Sequence, residues 1–573
     1  ATSLKTKESD PDGKYQCYWN FRAPLSSIWS HQFLAIQRGE KEKVLSIRFE
    51  CAGAAEEAVV DSQVSALPCG SALWKAELRS AVADGLTRLL KPTIEREWRR
   101  MLKERAEDEA FDTYRRNAKA KLLTPPCVGI RDGGRAPVAG PVMGLDPGYR
   151  HGCKIAVVSS TGGVLATLTI YPVACKGAAG QNRQSVAQQQ LVTLLEKTQP
   201  GLLAIGNGTA SAETEAFVRR LFQERSDLAR PYSIVDESGA SIYSASELAA
   251  AELPDMDVTL RGAVSIARRA LDPLAELVKI DPQSLGVGMY QHDVEEKRLK
   301  AELKGVVEEC VNAVGVDVNT ASAVLLQHVA GIGAKLSQAV IEHREAVGPF
   351  TDRRDLKRVK GLGAVSFQQA AGFLRIIGGM EPLDATAVHP ESYVVAKKLQ
   401  ECFGTALEAL HISSSTASAL GGDDDTELQL LAQEVGCGKA TLADIIASLR
   451  SDACIDPRSE QPQPLIKDVD AMEVDDLDAA DGIDAQVRGL TPEQLEPGMV
   501  LRGIVRNVVQ FGAFMDIGVH HDALLHYSCY PKPLPRIDWP RVNDRFAVEV
   551  KGAERRGSKW RISIAMPNLT KPQ

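Results

Sequence analysis

The chain of 573 residues is too long for one compact domain, and with 44% hydrophobic and 25% charged residues it has a globular composition. No apolar run is long enough to cross a bilayer, which excludes a helical membrane protein. The net charge of −8 does not exclude nucleic acid as a partner, because the charge is unevenly distributed along the chain.

The N-terminus, ATSLKTKESD, has neither an initiator Met nor a signal pattern, so nothing in it argues for secretion, and it fits a piece of a longer protein. Eleven scattered cysteines without a CxxC pair disfavour a zinc site and a disulfide framework. They fit a reducing, intracellular compartment and leave cytoplasm, nucleus or an organelle open.

Residues 75–121 carry acids and bases at i, i+4 around Ile94, Trp98, Leu102, Ala106, Ala110 and Phe111, which predicts one long amphipathic helix stopped at Pro125-Pro126. After the Gly/Pro-rich GIRDGGRAPVAGP come strands at 142–145, 154–158, 163–171 and 202–205, a helix at 185–198, and a further strand in YSIVDES. This alternation predicts an α/β unit, completed by Ala-rich helices to about residue 277.

An internal repeat follows. Leu326, Val329, Gly331, Gly333 and Ala334 recur as Leu356, Val359, Gly361, Gly363 and Ala364. In a helical hairpin closed by hGhG, where h is an apolar residue, the glycines permit a tight turn and the next helix offers free N–H groups to a phosphate. Lys335, Lys357, Arg358 and Lys360 add charge, so this is the form of a helix-hairpin-helix that holds backbone without reading bases. Between Lys467 and Asp484 eight acids predict a solvated acidic linker.

The last eighty residues or so are rich in Val, Ile, Phe and Gly, with regular turn signals, and predict a small β-barrel. Phe511, Phe514 and His526 sit where strands meet turns and can stack bases, while Arg502, Arg506, Arg545 and Lys551 can follow a backbone. Phe511 and Phe514 cannot both point inward without a bend at Gly512, so at least one is expected to be exposed. This module resembles the S1 RNA-binding domain, an OB-fold, interrupted by CYPKPLPRIDWP at 529–540.

In this order the modules resemble the Tex family of transcription accessory proteins, including its eukaryotic S1-domain homologues. SHQFLAIQRGE, LLKPTIERE, GLDPGYRHGCK, IGNGTASAET, RGAVSIARR, DPLAELVKIDPQSLGVGMYQHDV and AVHPESY carry the same resemblance. Gln32 and Gln37 depart from the family's SHRxLAxNRGE, and the family's N-terminal helical region is largely missing.

The resemblance implies a multidomain α+β chain. It comprises an N-terminal, mostly helical Tex-like region at 1–125, an RNase H-like YqgF domain at 140–295 and tandem helix-hairpin-helix at 296–385. A helical segment at 386–460, an acidic linker at 461–490 and an S1 barrel at 495–568 complete it.

An RNase H-like nuclease needs several carboxylates converging on two metal ions. Asp146 fills the first-strand position, Asp236 or Glu237 could supply a second ligand, and Asp272 a third. Asn207 and Arg261-Gly262-Ala263 stand where further acids are implied by the resemblance, so the carboxylate set is expected to be degenerate.

The leading expectation is a monomeric, non-enzymatic scaffold of transcription or translation that binds single-stranded RNA, and possibly DNA, beside RNA polymerase or the ribosome. It needs no cofactor, Mg2+ entering only if the nuclease site is active. The alternatives are a metal-dependent resolvase or RNA-processing nuclease and a protein-docking platform.

Overall fold

The computed structural model describes residues 2–4, 10, 13–50, 53–66, 71–127, 140–172, 178–403, 436–450, 456–458, 461–464, 466–467, 492–509, 511–519, 521–529, 540–556 and 559–566. The acidic stretch 468–484 and the barrel insertion at 530–539 lie outside the described residues. The chain divides into two compact units. One comprises Ala1–Arg116, Gly288–Glu302 and Val508–Gly512, the other the remainder.

In the first unit β1 (Thr2–Leu4) pairs antiparallel with β2 (Leu45–Ile47), and α1 (Ser30–Lys41) lies between them in sequence. The family motif in α1 has local structural reasons. Arg38 forms an ion pair with Asp293 at 2.6 Å, donates to the Tyr15 hydroxyl at 3.1 Å and lies 4.2 Å over the Tyr290 ring. A Cβ on Gly39 would come within 2.7 Å of a Leu45 methyl, so α1 can approach β2 only with glycine there.

Helices α2 (Gly53–Ala66) and α3 (Ala72–Gly85) follow, and α3 continues through a π-helical turn at Leu86–Leu90 into α4 (Lys91–Leu122). The predicted long helix is therefore present, with a π segment that periodicity did not reveal. Its apolar residues divide: Leu102, Ala106, Ala110 and Phe111 are buried, whereas Ile94 and Trp98 remain 44% and 41% exposed.

The second unit contains a six-stranded sheet. β3 (Val142–Asp146), β4 (Cys153–Val158) and β5 (Val164–Ile170) form an antiparallel meander, and β6 (Leu202–Gly206) and β7 (Tyr232–Val235) extend it in parallel from β3. Strand β6, LLAIG, is buried throughout, as a strand covered on both faces must be.

Helices α5 (Ala178–Thr198) and α6 (Ser211–Glu224) supply Leu191, Leu195, Phe217 and Phe222 to the core on one face. The other face is covered by α9, which follows the short α7 (Ala240–Ser244) and α8 (Glu247–Glu252) and spans Val258–Leu271. It lies so close to β3 that a Cβ on Gly144 would be 2.3 Å from the Ala263 carbonyl oxygen. Helix α10 (Pro273–Leu277) follows directly.

After α11 (Glu296–Val314), β8 (Val316–Asp317) pairs in parallel with β9 (Leu374–Arg375) and brackets the duplicated hairpins. The first runs from α12 (Ala323–Leu326) to α13 (Ala334–Val347). The second runs from a 3-10 turn at Arg353–Arg358 to α14 (Ala364–Ala370). Arg353 is 1% exposed, and its guanidinium donates to the carbonyls of Leu374, Val388 and Thr386 and to the Tyr393 hydroxyl, at 2.7 to 2.9 Å.

Helices α15 (Tyr393–Phe403) and α16 (Lys439–Arg450) share a core of Leu383, Val388, Ala396, Leu399, Leu442 and Ile445. Composition assigned residues 461–467 to the acidic linker. There β10 (Ile466–Lys467) instead pairs antiparallel with β7 and forms the sheet edge, held by Lys467–Glu215 at 2.5 Å.

The C-terminal module is a closed five-stranded barrel, an OB-type fold, in the order β11-β12-β13-β15-β14. Its strands are β11 (Val500–Val509), β12 (Gly512–Asp516), β13 (Ala523–His526), β14 (Arg545–Arg556) and β15 (Lys559–Ala565). Leu501, Gly503 and Val505 are buried while Val500, Arg502 and Ile504 are exposed, the alternation expected of a filled barrel.

Candidate nucleic-acid interface

Each hairpin closes on a four-residue turn. Ile332 N–H donates to the Val329 carbonyl at 3.0 Å and Leu362 N–H to the Val359 carbonyl at 3.1 Å. Gly331 and Gly361 hold φ of 81° and 90°, as the third residue of a type II turn must. The two turns also interlock: a Cβ on Gly331 would meet Gln369 and the Ser366 carbonyl of the second hairpin at 2.9 and 3.0 Å, and one on Gly361 would meet Leu336 of the first at 3.4 Å.

Gly333 and Gly363 differ from these. Both are exposed N-caps in extended conformation, with φ of −95° and −76°, neither caps its helix through a side chain, and a Cβ on either would meet nothing within 4 Å. Lys335, Lys357, Arg358 and Lys360 are all exposed. Arg358 is paired with Asp355 at 3.1 Å and Lys357 lies 4.7 Å over the Phe367 ring.

On the barrel, Phe514 and Asp516 alternate with buried Ala513 and Met515, and Leu524 and His526 with buried Ala523 and Leu525. Arg561 and Ser563 of β15 alternate in the same way with Ile562 and Ile564. Burial and the nearby Arg561 charge lower the His526 pKa, which places Arg561 at this face. Sequence reading omitted Arg561, although the alternation in RISIAM carried the signal.

Burial and Arg502 lower the Arg545 pKa, so these two cations lie close together on β11 and β14. Arg506 is held by Asp516, by Asp522 at 3.7 Å, and by the Asn207 carbonyl at 3.5 Å. Lys551 pairs with Glu549 at 2.7 Å. Phe511, in the turn that belongs to the first unit, stands 5.2 Å from the His31 ring.

The α/β domain brings only some of its candidate acids together. Burial raises the Asp146 pKa, with Lys154 opposing. Glu237 is likewise raised by burial and by the Asp146 charge, its N–H donates to Asn207 Oδ1 at 3.1 Å, and its Oε2 is buried without a hydrogen-bond partner among the described residues.

Asp236 faces other groups. Although desolvation opposes it, Lys121 at 2.8 Å, with Arg269 and Ser238, holds its carboxyl well below the usual range. Asp272 lies elsewhere, capping α10 through the Ala275 N–H and paired with Arg458 at 2.9 Å.

The residue of α9 facing Asp146 is Gly262, whose Cβ would lie 2.9 Å from Oδ2. Arg261 points to the Ser244 carbonyl at 3.4 Å. Among the described residues no group of three or more His, Cys, Asp or Glu could hold a metal ion. Asp236 is thus paired with Lys121, and Asp272 with Arg458.

Comparison with known families accounts for this assembly. The chain matches the Tex central region-like family over residues 1–124, the Tex protein YqgF-like domain over 140–271, the helix-hairpin-helix motif over 311–375 and an HHH domain over 381–458. Such a succession, ending in an OB-type barrel, defines a multidomain protein with nucleic-acid-binding helix-hairpin-helix domains.

The similarity extends across nearly all of this chain and part of the length of each relative. The uncharacterised protein YdcI of Bacillus subtilis is 41% identical over 98% of this chain and 72% of its own length. The transcriptional accessory protein Tex of Neisseria gonorrhoeae is 39% identical over 98% of this chain and 69% of its own. The human S1 RNA-binding domain-containing protein 1 is 35% identical over 91% and 54% respectively. The chain belongs to the Tex family.

Proposed function

We propose that the protein is a non-enzymatic nucleic-acid-binding scaffold of transcription, holding backbone at the hairpins and single-stranded RNA on the barrel. The observation that carries this reading is the contrast between the two pairs of hairpin glycines. Gly331 and Gly361 are required by positive φ. Gly333 and Gly363 have no such requirement and keep open space in front of a helix N-terminus, as close approach by a ligand backbone demands.

The barrel adds Phe514, His526 and Arg561 on three neighbouring strands, a stacking surface with a cation beside it. The names of the gonococcal and human relatives favour transcription and RNA as the setting. The nuclease alternative is disfavoured by the Lys121–Asp236 and Arg458–Asp272 pairs, and the scaffold reading needs no metal.

The test is binding of labelled single-stranded RNA across a range of salt concentrations. The double variant Gly333→Ala, Gly363→Ala should melt like the parent while binding every sequence more weakly. Phe514→Ala should lose roughly tenfold in affinity through lost stacking. Parental affinity in both variants would sink the proposal, as would Mg2+-dependent cleavage that disappears in Asp146→Asn.

A further inference from the structure

Asp146 ends β3 and Cys153 begins β4, which leaves Tyr149, Arg150 and His151 of GLDPGYRHGCK outside both strands. Two glycines close the loop that carries them. A Cβ on Gly148 would come within 3.0 Å of the Gly152 carbonyl oxygen. Gly152 itself holds φ of 74°, and a Cβ there would lie 2.6 Å from the Ile170 carbonyl oxygen. The loop is therefore pinched at its base, and its three tip residues are all exposed.

A second ring stands beside this base. Cys153 pairs with Ile170 at the end of the β4–β5 ladder, so Gly152 and Tyr171 meet just beyond it, and a Cβ on Gly152 would be 3.0 Å from the Tyr171 ring. Tyr149 and Tyr171 are 45% and 46% exposed, so the core takes up neither ring fully. Tyr149 is nevertheless fixed in direction. Its hydroxyl donates to Glu213 Oε1 at 2.6 Å, in the first turn of α6.

The charge around the loop suits a phosphate chain. Arg150 and His151 make no hydrogen bond or ion pair among the described residues. Lys154 lies under the loop, its Nζ 3.8 Å from where a Cβ on Gly148 would stand. The acids at this end of the sheet are restrained: burial raises the pKa of both Asp146 and Glu237, and Glu213 accepts the Tyr149 hydroxyl. Exposed rings beside uncompensated cations match the chemistry of an unpaired strand, whose bases stack while its phosphates meet positive charge.

We propose that the loop of Tyr149, Arg150 and His151, together with Tyr171, is a contact site of the α/β domain for an unpaired nucleic-acid strand. The two rings stack bases, and Arg150 and His151 hold the backbone. The site uses none of the hairpin or barrel residues and needs no cleavage of the strand it holds.

The experiment uses the full chain, a labelled oligouridylate of about twelve nucleotides, and an abasic strand of the same length. Tyr149→Leu and Tyr171→Leu keep apolar bulk but remove the π face. Each should weaken binding of the oligouridylate about fivefold and leave the abasic strand bound as by the parent. Tyr149→Phe, which restores a ring, should recover most of the loss. Arg150→Gln should weaken both strands and flatten the salt dependence by about 0.7 in the slope of log K against log salt.

Parental affinity in Tyr149→Leu, Tyr171→Leu and Arg150→Gln would overturn the site. That result would leave the hairpin and barrel reading to its own variants, Gly333→Ala with Gly363→Ala and Phe514→Ala. Equal loss of both strands in the two leucine variants would assign the rings a packing role and likewise overturn it.

Discussion

Asp146 is a carboxylate kept at the end of β3 without the partners that would stabilise its charge. Its pKa is raised by burial, and only Lys154 opposes this. A raised carboxyl contributes stability below its unfolded pKa and loses it as pH rises through the folded value. Asp146→Asn should therefore be more stable than the parent at pH 7, with the difference shrinking as pH falls below the ordinary carboxylate range. Urea denaturation at the two pH extremes checks this, and a less stable variant at pH 7 would point to a bound cation at Asp146.

Residues of this kind were only half legible in sequence. Asp146 could be placed at a strand end because strand, turn and strand are local patterns. That Asp236 and Asp272 are paired with cations could not be read, because Lys121 and Arg458 reach them from far along the chain. Arg353 makes the same point. Nothing local in TDRRDLKR distinguishes the buried arginine that donates to four acceptors from its exposed neighbour Arg354.

Among the elements, the hairpins were the most legible, because a type II turn demands glycine wherever it occurs and so writes its geometry into the repeat. Their interlocking adds an asymmetry that the repeat conceals. Alanine at Gly331 or Gly361 should cost about 1 kcal/mol for positive φ alone. Gly331→Ala should cost more, since its Cβ would also meet backbone at 3.0 Å, whereas at Gly361 it meets only a leucine methyl at 3.4 Å. Thermal denaturation of the two variants should rank them in that order, and equal melting would contradict the interlocked arrangement.

Barrel strands were legible for a comparable reason, since alternation follows from a filled interior. The long helix was less so. Charge periodicity predicts helix without predicting cover, and the exposed Ile94 and Trp98 show the difference. Element β10 was missed because its two residues carry no periodicity, and its pairing depends on an edge built from residues 232–235.

Over the whole molecule, the modules are joined by more than linkers. Arg458 pairs with Asp272 and Asp456, and Lys467 pairs with Glu215 and lies 5.4 Å over the Tyr232 ring, so the stretch after α16 is fastened to the α/β domain at two places. Arg458→Ala should loosen this stretch without unfolding the sheet. Amide exchange at β10 and the edge of β7 should then accelerate about tenfold while β3 and β6 keep parental protection. Uniform acceleration across the sheet would mean that the stretch is part of the core rather than a fastening.

The pairing of Ser233 with Ile466 also sets an order of events during synthesis. The α/β sheet emerges with the edge of β7 open, and the segment that closes it follows only after the hairpins and α16 have been made. Until then the growing chain carries an unpaired strand edge, the feature most prone to pairing with a neighbour. Completion of the α/β sheet is thus postponed until residue 466 has been made, and a chain released before that residue would carry the exposed edge permanently.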